Sequence, residues 1–311
     1  MSHDQHHHDH GHAHGHGHSH LPPGNNLVFA VGAALNLGFV AVEVFYGLTA
    51  NSLALLSDAA HNLGDVFGLL IAWSAFHLGK SLPTKRRTYG LRRSSILAAL
   101  INAVVLLVVV GGIVWEAMGR IADPEAVHGS TVMWVAAAGV VINTFSALLF
   151  MAGRKKDLNI NGAFLHMASD AVVSLGVVLA GLGILATGWN WLDPAISIAI
   201  SCVIVWGTWG LLRESLALAM DAVPEGIDSH AVEAYLAQLP GVAAVHDLHI
   251  WGMSTTEVAL TAHLVMPEPP ADDKLLGDVC HELRRRFEIG HVTIQIEHGD
   301  IACHQAPANV V

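Results

Sequence analysis

Two short stretches of the chain place an imidazole and a carboxylate four residues apart within apolar sequence. LSDAAHNLGD carries His61 and Asp65, and FLHMASD carries His166 and Asp170. On a helix, residues i and i+4 share one face about 6 Å apart, so each stretch offers one nitrogen and one oxygen on a single stripe. Two such stripes facing each other supply four ligands. Two imidazoles and two carboxylates suit a tetrahedral divalent ion, zinc above all, with bonds of about 2.0–2.2 Å. Calcium or magnesium would require more oxygens. A single buried His-Asp pair is often a satisfied hydrogen bond, and H-x-x-x-D recurs by chance in soluble chains. Repetition in two apolar segments favours a metal site, because an Asp in hydrocarbon costs roughly 2.5–3.5 kcal/mol on insertion scales.

The neighbouring polar residues receive plainer readings. Asp58, one turn before His61, is read as a helix-start residue or a partner that supports the ligands, ahead of a ligand, with a place on the ion's entry path as the alternative. Glu43, Asn36, Asn102 and Asn143 are read as hydrogen-bonding between helices. Gly64, Gly68 and Gly176 would let helices approach closely near the two pairs.

The elements that must position these residues are membrane helices. The 311 residues are 53% hydrophobic and only 13% charged, about half the charged fraction of a typical soluble domain. That composition excludes a purely soluble globule, which would have too few polar side chains to cover its surface. With a formal net charge of -11, nucleic acid is excluded as a partner and the lipid bilayer is the expected one. Spanning a bilayer takes about 20 apolar residues, and six windows qualify: 27–48, 53–78, 94–118, 130–153, 161–187 and 189–212. Basic residues mark the cytoplasmic loops: Lys80, Lys85, Arg86, Arg87, Arg92 and Arg93 follow the second window, and Arg154, Lys155 and Lys156 follow the fourth. Both termini then lie in the cytoplasm, and Trp189 and Trp191 fit the interfacial belt at the outer end.

The chain is therefore read as an α-helical polytopic membrane protein with six transmembrane helices over residues 26–212, followed by a small cytosolic α+β domain over 213–300. In that domain the pattern predicts a helix over 229–239, strands over 242–251 and 258–266, a helix over 275–287 and a strand over 291–297, an order close to a ferredoxin-like arrangement. Residues 1–25 read as a disordered tail. Its first twenty residues hold ten histidines interleaved with Asp4, Asp9 and glycines, which suits metal collection better than the unbroken run of an affinity tag. Residues 301–311 read as a flexible tail. Cys202, Cys280 and Cys303 are too widely spaced for a disulfide framework or a thiolate knuckle.

The motifs together resemble the cation diffusion facilitators, the zinc/proton antiporters of the zinc-transporter type. The resemblance runs from Asn26 to Asp300 and rests on the two H-x-x-x-D pairs, on SLALLSDAAHNLGD, on YGLRR in the basic loop, and on VHDLHIW, LTAHLVM and HVTIQIE in the soluble domain. It implies a homodimer that exports zinc from the cytosol by alternating access, with protons as the counter-ion and His61, Asp65, His166 and Asp170 as the transport site. It also implies zinc as a regulatory ligand of the cytosolic domain. There His246, His263 and Glu297 match ligand positions, His291 is a further candidate and His249 is structural. Cys303 and His304 stand near enough in sequence to extend that site, but are read as part of the tail. The loop after the second span lacks the His or Asp that some members use for another metal, and His77 alone does not supply one. The family likeness and the compactness of the chain point to a bacterial inner membrane. Alternatives are a broader exporter of cadmium, cobalt or nickel and a membrane-anchored zinc-binding sensor. An enzyme is not expected: there is no H-E-x-x-H, and four protein ligands would close the site.

Overall fold

The computed structural model describes residues 26–79, 81–151, 158–270, 272–299 and 303–304. The expected tail over 1–25, most of the tail over 301–311, and the basic residues Lys80, Arg154, Lys155 and Lys156 lie outside the described residues.

Six long helices form the first unit: α1 (Asn26–Thr49), α2 (Leu53–Gly79), α3 (Ser94–Ala122), α4 (Gly129–Met151), α5 (Leu158–Thr187) and α6 (Leu192–Ala219). In a bilayer every backbone donor and acceptor must be satisfied within the segment, which leaves the helix as the form available to these sequences. Among the described residues, the stretches Ser94–Ala122, Gly129–Leu148, Phe164–Thr187 and Leu192–Ala219 are by themselves long and apolar enough to cross a membrane, and α1 adds the shorter Ala34–Thr49. Large apolar side chains such as Val108, Trp134, Leu179 and Trp206 point outward, as lipid contact requires. Trp189 and Trp191 stack in the turn before α6, and Pro194 sits in its first turn, where a missing N–H costs nothing. It runs on to Ala219 through Arg213 and Glu214. Charge marks where hydrocarbon ends, whereas these good helix formers continue the helix into water.

The turns farthest from the second unit are tied together. His128 N–H donates to the Ala50 carbonyl at 3.1 Å, and the Asn51 amide donates to Glu125 at 2.7 Å. The buried carboxylate of Asp193 on α6 accepts from the Ser52 hydroxyl at 2.5 Å and the Leu53 N–H at 2.7 Å, so one helix caps the N-terminus of another. A core of Phe39, Ala54, Leu55, Val110, Val132, Ala136, Val177, Ile200 and Ile204 fills this far half. α4 and α5 approach closely at Gly181, where a Cβ would lie 2.9 Å from the Met133 nitrogen. Of the glycines expected to allow close approach, Gly64 faces Leu106 of α3, while Gly68 and Gly176 face open space among the described residues.

The second unit contains α7 (Ser229–Ala237), β1 (Ala244–Gly252), β2 (Val258–Val265), α8 (Lys274–Phe287) and β3 (Ile289–Glu297). The sheet order is β1-β2-β3, with β1 antiparallel and β3 parallel to the central β2. The α-β-β-α-β order matches the ferredoxin-like expectation. α7 starts at Asp228, whose carboxylate accepts from the N–H groups of His230 and Ala231. Val232 and Leu236 of α7 and Val279 and Leu283 of α8 pack with Ile250, Leu260, Leu264 and Ile289 of the strands. The unit docks on the near ends of the helices: Arg92 pairs with Glu257 at 2.8 Å, Arg93 pairs with Asp221, and the Thr255 N–H donates to the Ser95 hydroxyl at 3.1 Å.

Candidate metal centres

α2 and α5 bring the two H-x-x-x-D pairs together. His61 Nε2 stands 3.2 Å from Asp170 Oδ1, and His166 Nε2 stands 3.2 Å from Asp65 Oδ2 and 3.7 Å from Asp170 Oδ2. Each imidazole therefore reaches across to the carboxylate of the other helix, as the i, i+4 stripes require. His61, Asp65 and Asp170 each offer an atom within 4.8 Å of the others, and His166 joins through the two carboxylates. A tetrahedron with bonds of 2.0–2.1 Å has ligand–ligand edges of about 3.3–3.4 Å, close to the two cross-helix distances. Asp170 is fully buried while His166 is 40% exposed. The site thus has a dry floor and an open side. Along α2 and α5, His61 and Asp170 lie one turn nearer the packed far half, and Asp65 and His166 lie one turn nearer the helix ends that carry the second unit.

Asp170 has no conventional hydrogen-bond donor on either oxygen among the described residues, and His61 and His166 are the groups that approach it. A buried carboxylate in that state is relieved by a cation beside it or by a proton. Asp58, read as a cap or a supporting partner, accepts from the Ser174 hydroxyl at 3.0 Å. The cap of α2 is Asp193 instead. Sequence reasoning passed over Asp193 because its partners lie some 140 residues earlier, although an Asp beside Pro at the start of a span is a visible signal.

The second cluster lies at one end of the sheet. His246 and His263 are directly opposite one another on β1 and β2, with ring centroids 5.2 Å apart. Glu297, at the end of β3, places its two oxygens 3.3 Å from His246 Nε2 and 3.0 Å from His263 Nδ1. Cys303 completes the group with its Sγ 3.7 Å from His263 Nδ1. One atom from each of the four lies within 4.8 Å of the others. Gly299, with φ +83°, allows the backbone to turn after β3. Burial works against ionisation of Glu297, but hydrogen bonds from Cys303 and Gln295 and the nearby His246 and His263 outweigh it and hold the carboxyl below its usual range.

His291 does not join this cluster. In the β2–β3 register it lies opposite Ala259, whereas Glu297 lies opposite Val265, so six residues of strand, about 20 Å, separate the two. The His291 ring packs instead on Tyr89, with centroids 5.7 Å apart. His249 pairs with Asp247 at 2.9 Å. Asp247 sits at φ +51° in the bulge between His246 and His249 and also reaches His263 Nε2 at 3.4 Å. Sequence reasoning assigned Cys303 to the tail and gave Asp247 no role, since neither a turn back after β3 nor a bulge leaves a periodic signal.

The helical unit with its polar floor and the α+β unit beside it define a membrane metal carrier. Residues 29–218 match the cation efflux transmembrane domain, and residues 224–299 match the cation efflux protein cytoplasmic domain. The chain belongs to the cation efflux family, which consists of transporters and not enzymes. It is 38% identical over 288 residues to the metal cation efflux system protein CzcD of Cupriavidus metallidurans, covering 92% of this chain and 90% of the relative. It is 37% identical to the zinc transporter ZitB of Escherichia coli, covering 91% of each. It is 34% identical to a cadmium, cobalt and zinc/H(+)-K(+) antiporter of Bacillus subtilis, covering 88% of this chain and 89% of the relative.

Proposed function

We propose that this cation efflux protein exports zinc from the cytosol in exchange for protons, using His61, Asp65, His166 and Asp170 as the transport site. The observation that carries the reading is the buried Asp170 carboxylate, met by two imidazoles at spacings that suit a tetrahedral ion. Metal binding needs ionised Asp and neutral His, so protons arriving at the site expel the metal and metal expels protons. The packed far half and the partly open site fit a state that loads from the cytosol. Rocking of the helices would expose the site on the opposite face. Residues 26–212 form the transport domain in this reading. Residues 213–300 form a regulatory and dimerising domain that holds a resident zinc at His246, His263 and Glu297, joined by Cys303 from the segment that follows it. The protein functions as a homodimer in a bacterial inner membrane, with both termini in the cytoplasm.

The relative named for cadmium, cobalt and zinc supports a second reading, in which the same site exports a wider set of divalent metals. Proteoliposomes under an imposed pH gradient test both, with external and internal metal and internal pH followed together. Zinc and proton movements in opposite directions, lost in Asp65→Ala, are expected. Tight zinc binding without flux would instead make the protein a membrane-anchored sensor, and equal rates for zinc and cadmium would establish the wider range.

A further inference from the structure

One helical turn beyond the four ligands, toward the far half, α1 and α2 bring a second pair of carboxyls together. Glu43 and Asp58 are both fully buried. Each has one oxygen satisfied by a neutral neighbour: the Asn62 amide donates to Glu43 Oε2 at 3.1 Å, and the Ser174 hydroxyl donates to Asp58 Oδ2 at 3.0 Å. The other two oxygens, Glu43 Oε1 and Asp58 Oδ1, accept no hydrogen bond among the described residues, and the two carboxyls lie within hydrogen-bonding reach of one another. Neither is ion-paired or hydrogen-bonded to the four ligands among the described residues.

Among the described residues, the surroundings supply no fixed positive charge to offset two anions. α1, α2, α4 and α5 contain no Lys or Arg. Asp170 of α5 and His61 of α2 are the charged or titratable groups that face the pair. The buried polar side chains that α4 and α6 carry in their middle turns, Asn143, Ser197 and Ser201, are neutral. Asp193 of α6 is held at the far end by Ser52 and the start of α2, and Arg120 of α3 is held there by Glu116, Glu125 and the Asn51 carbonyl. Two adjacent carboxylates in such a place cannot both ionise. A single proton shared between the two carboxyls gives the pair a hydrogen bond that neither carboxylate alone can donate and removes one of the two charges.

We infer, on the zinc–proton exchange proposed above, that Glu43 and Asp58 share one exchangeable proton and that this pair carries part of the counter-ion separately from the metal ligands. Arrival of a dication one turn away favours loss of that proton to water, and departure of the metal favours its return. Coupling then does not depend wholly on titrating the ligands. Neighbouring groups that titrate together show their protons as a property of the set, so the proper readout is a count of protons.

The test is zinc-induced proton release from the full-length protein, counted by titration calorimetry in two buffers of different ionisation enthalpy, together with the proton-to-zinc ratio in proteoliposomes. Glu43→Gln keeps a donor for Asp58 and should lower both counts by about one proton per zinc. Asp58→Asn should do the same, and the double variant should lose no more than either single one, because one proton is shared. Unchanged counts in the properly folded single variants would overturn the inference, as would an additive loss of two. A second zinc equivalent bound by the wild type in the membrane unit and lost in Glu43→Gln would also overturn it, since a metal rather than a proton would neutralise the pair. If the wild type moves zinc with no opposed protons, the exchange reading itself fails. If wild-type exchange is intact and the variants match it, the role of this pair alone fails.

Discussion

The membrane cluster and the sheet-end cluster use similar residues in opposite mechanical settings. In the membrane, each helix supplies one His and one Asp, and among the described residues no backbone hydrogen bond joins α2 to α5, so sliding or tilting the helices separates the two pairs. In the cytoplasmic domain, His246 and His263 are fixed opposite one another by the β1–β2 ladder, and Glu297 is fixed by β3. Those ligands cannot part without breaking strand pairing. The membrane set is two nitrogens and two oxygens; the sheet set adds a sulfur, a softer donor suited to tight zinc binding. On the function proposed above, the site that must release its ion sits between movable helices, and the one that keeps its ion sits on a sheet.

The sharpest way to break this contrast is a reciprocal pair of variants. Removing a ligand should cost more than removing an outer partner, which itself typically costs 10–100-fold in metal affinity or activity. Asp170→Ala is therefore expected to lower zinc flux by more than about 100-fold while the cytoplasmic zinc equivalent, measured by equilibrium dialysis on the full chain, is retained. His263→Ala should do the reverse, losing that equivalent while flux through the membrane site stays measurable. Loss of both properties in either variant would mean that the two clusters act as one.

What could be read from the sequence divides along the same line. The membrane site was legible because its geometry is local: i, i+4 spacing and burial follow from helix periodicity, and two helices sufficed to assemble it. The six helices were legible from hydropathy, with ends that differ most at α6, where helix propensity outlasts the hydrocarbon. The sheet-end site depends on register. His246 and His263 had to be paired across a bulge whose φ +51° residue, Asp247, has no periodic signature. His291 and Glu297 share a strand in the sequence pattern, but their distance along it places one beside Tyr89 and the other beside the histidines. Cys303 became a ligand candidate when the chain was seen to return after Gly299. Asp193 escaped because the helix it caps begins far upstream.

A smaller effect tests whether sulfur contributes to retention. Cys303→Ser replaces the sulfur with a hydroxyl oxygen at the same place. The expected loss of cytoplasmic zinc affinity is roughly 10-fold, with a larger loss for cadmium, which prefers soft ligands. Transport through the membrane site, measured on the same preparation, should keep its metal preference. An equal loss for both metals would assign Cys303 a packing role and leave the histidines and Glu297 as the retaining set.

The smallest expected effect separates the sheet from the charges that decorate it. Glu282 on α8 accepts hydrogen bonds from Arg285 at 2.9 and 3.1 Å, and this contact holds its carboxyl below the usual range. A carboxyl lowered on folding adds stability above its unfolded pKa, and that contribution is lost as the pH falls through the folded value. Glu282→Gln should therefore lower the thermal midpoint of the cytoplasmic-domain transition slightly at neutral pH. The difference should close as the pH is taken below the carboxylate range, and should shrink in high salt because the pair is exposed. Zinc retention should be unaffected at every pH where wild-type retention is unchanged, because the ligands are positioned by strand pairing and by the Leu260, Leu264 and Leu283 core beneath them. A drop in zinc affinity in Glu282→Gln would show that surface charge on α8, and not the sheet, sets the geometry of the retaining site.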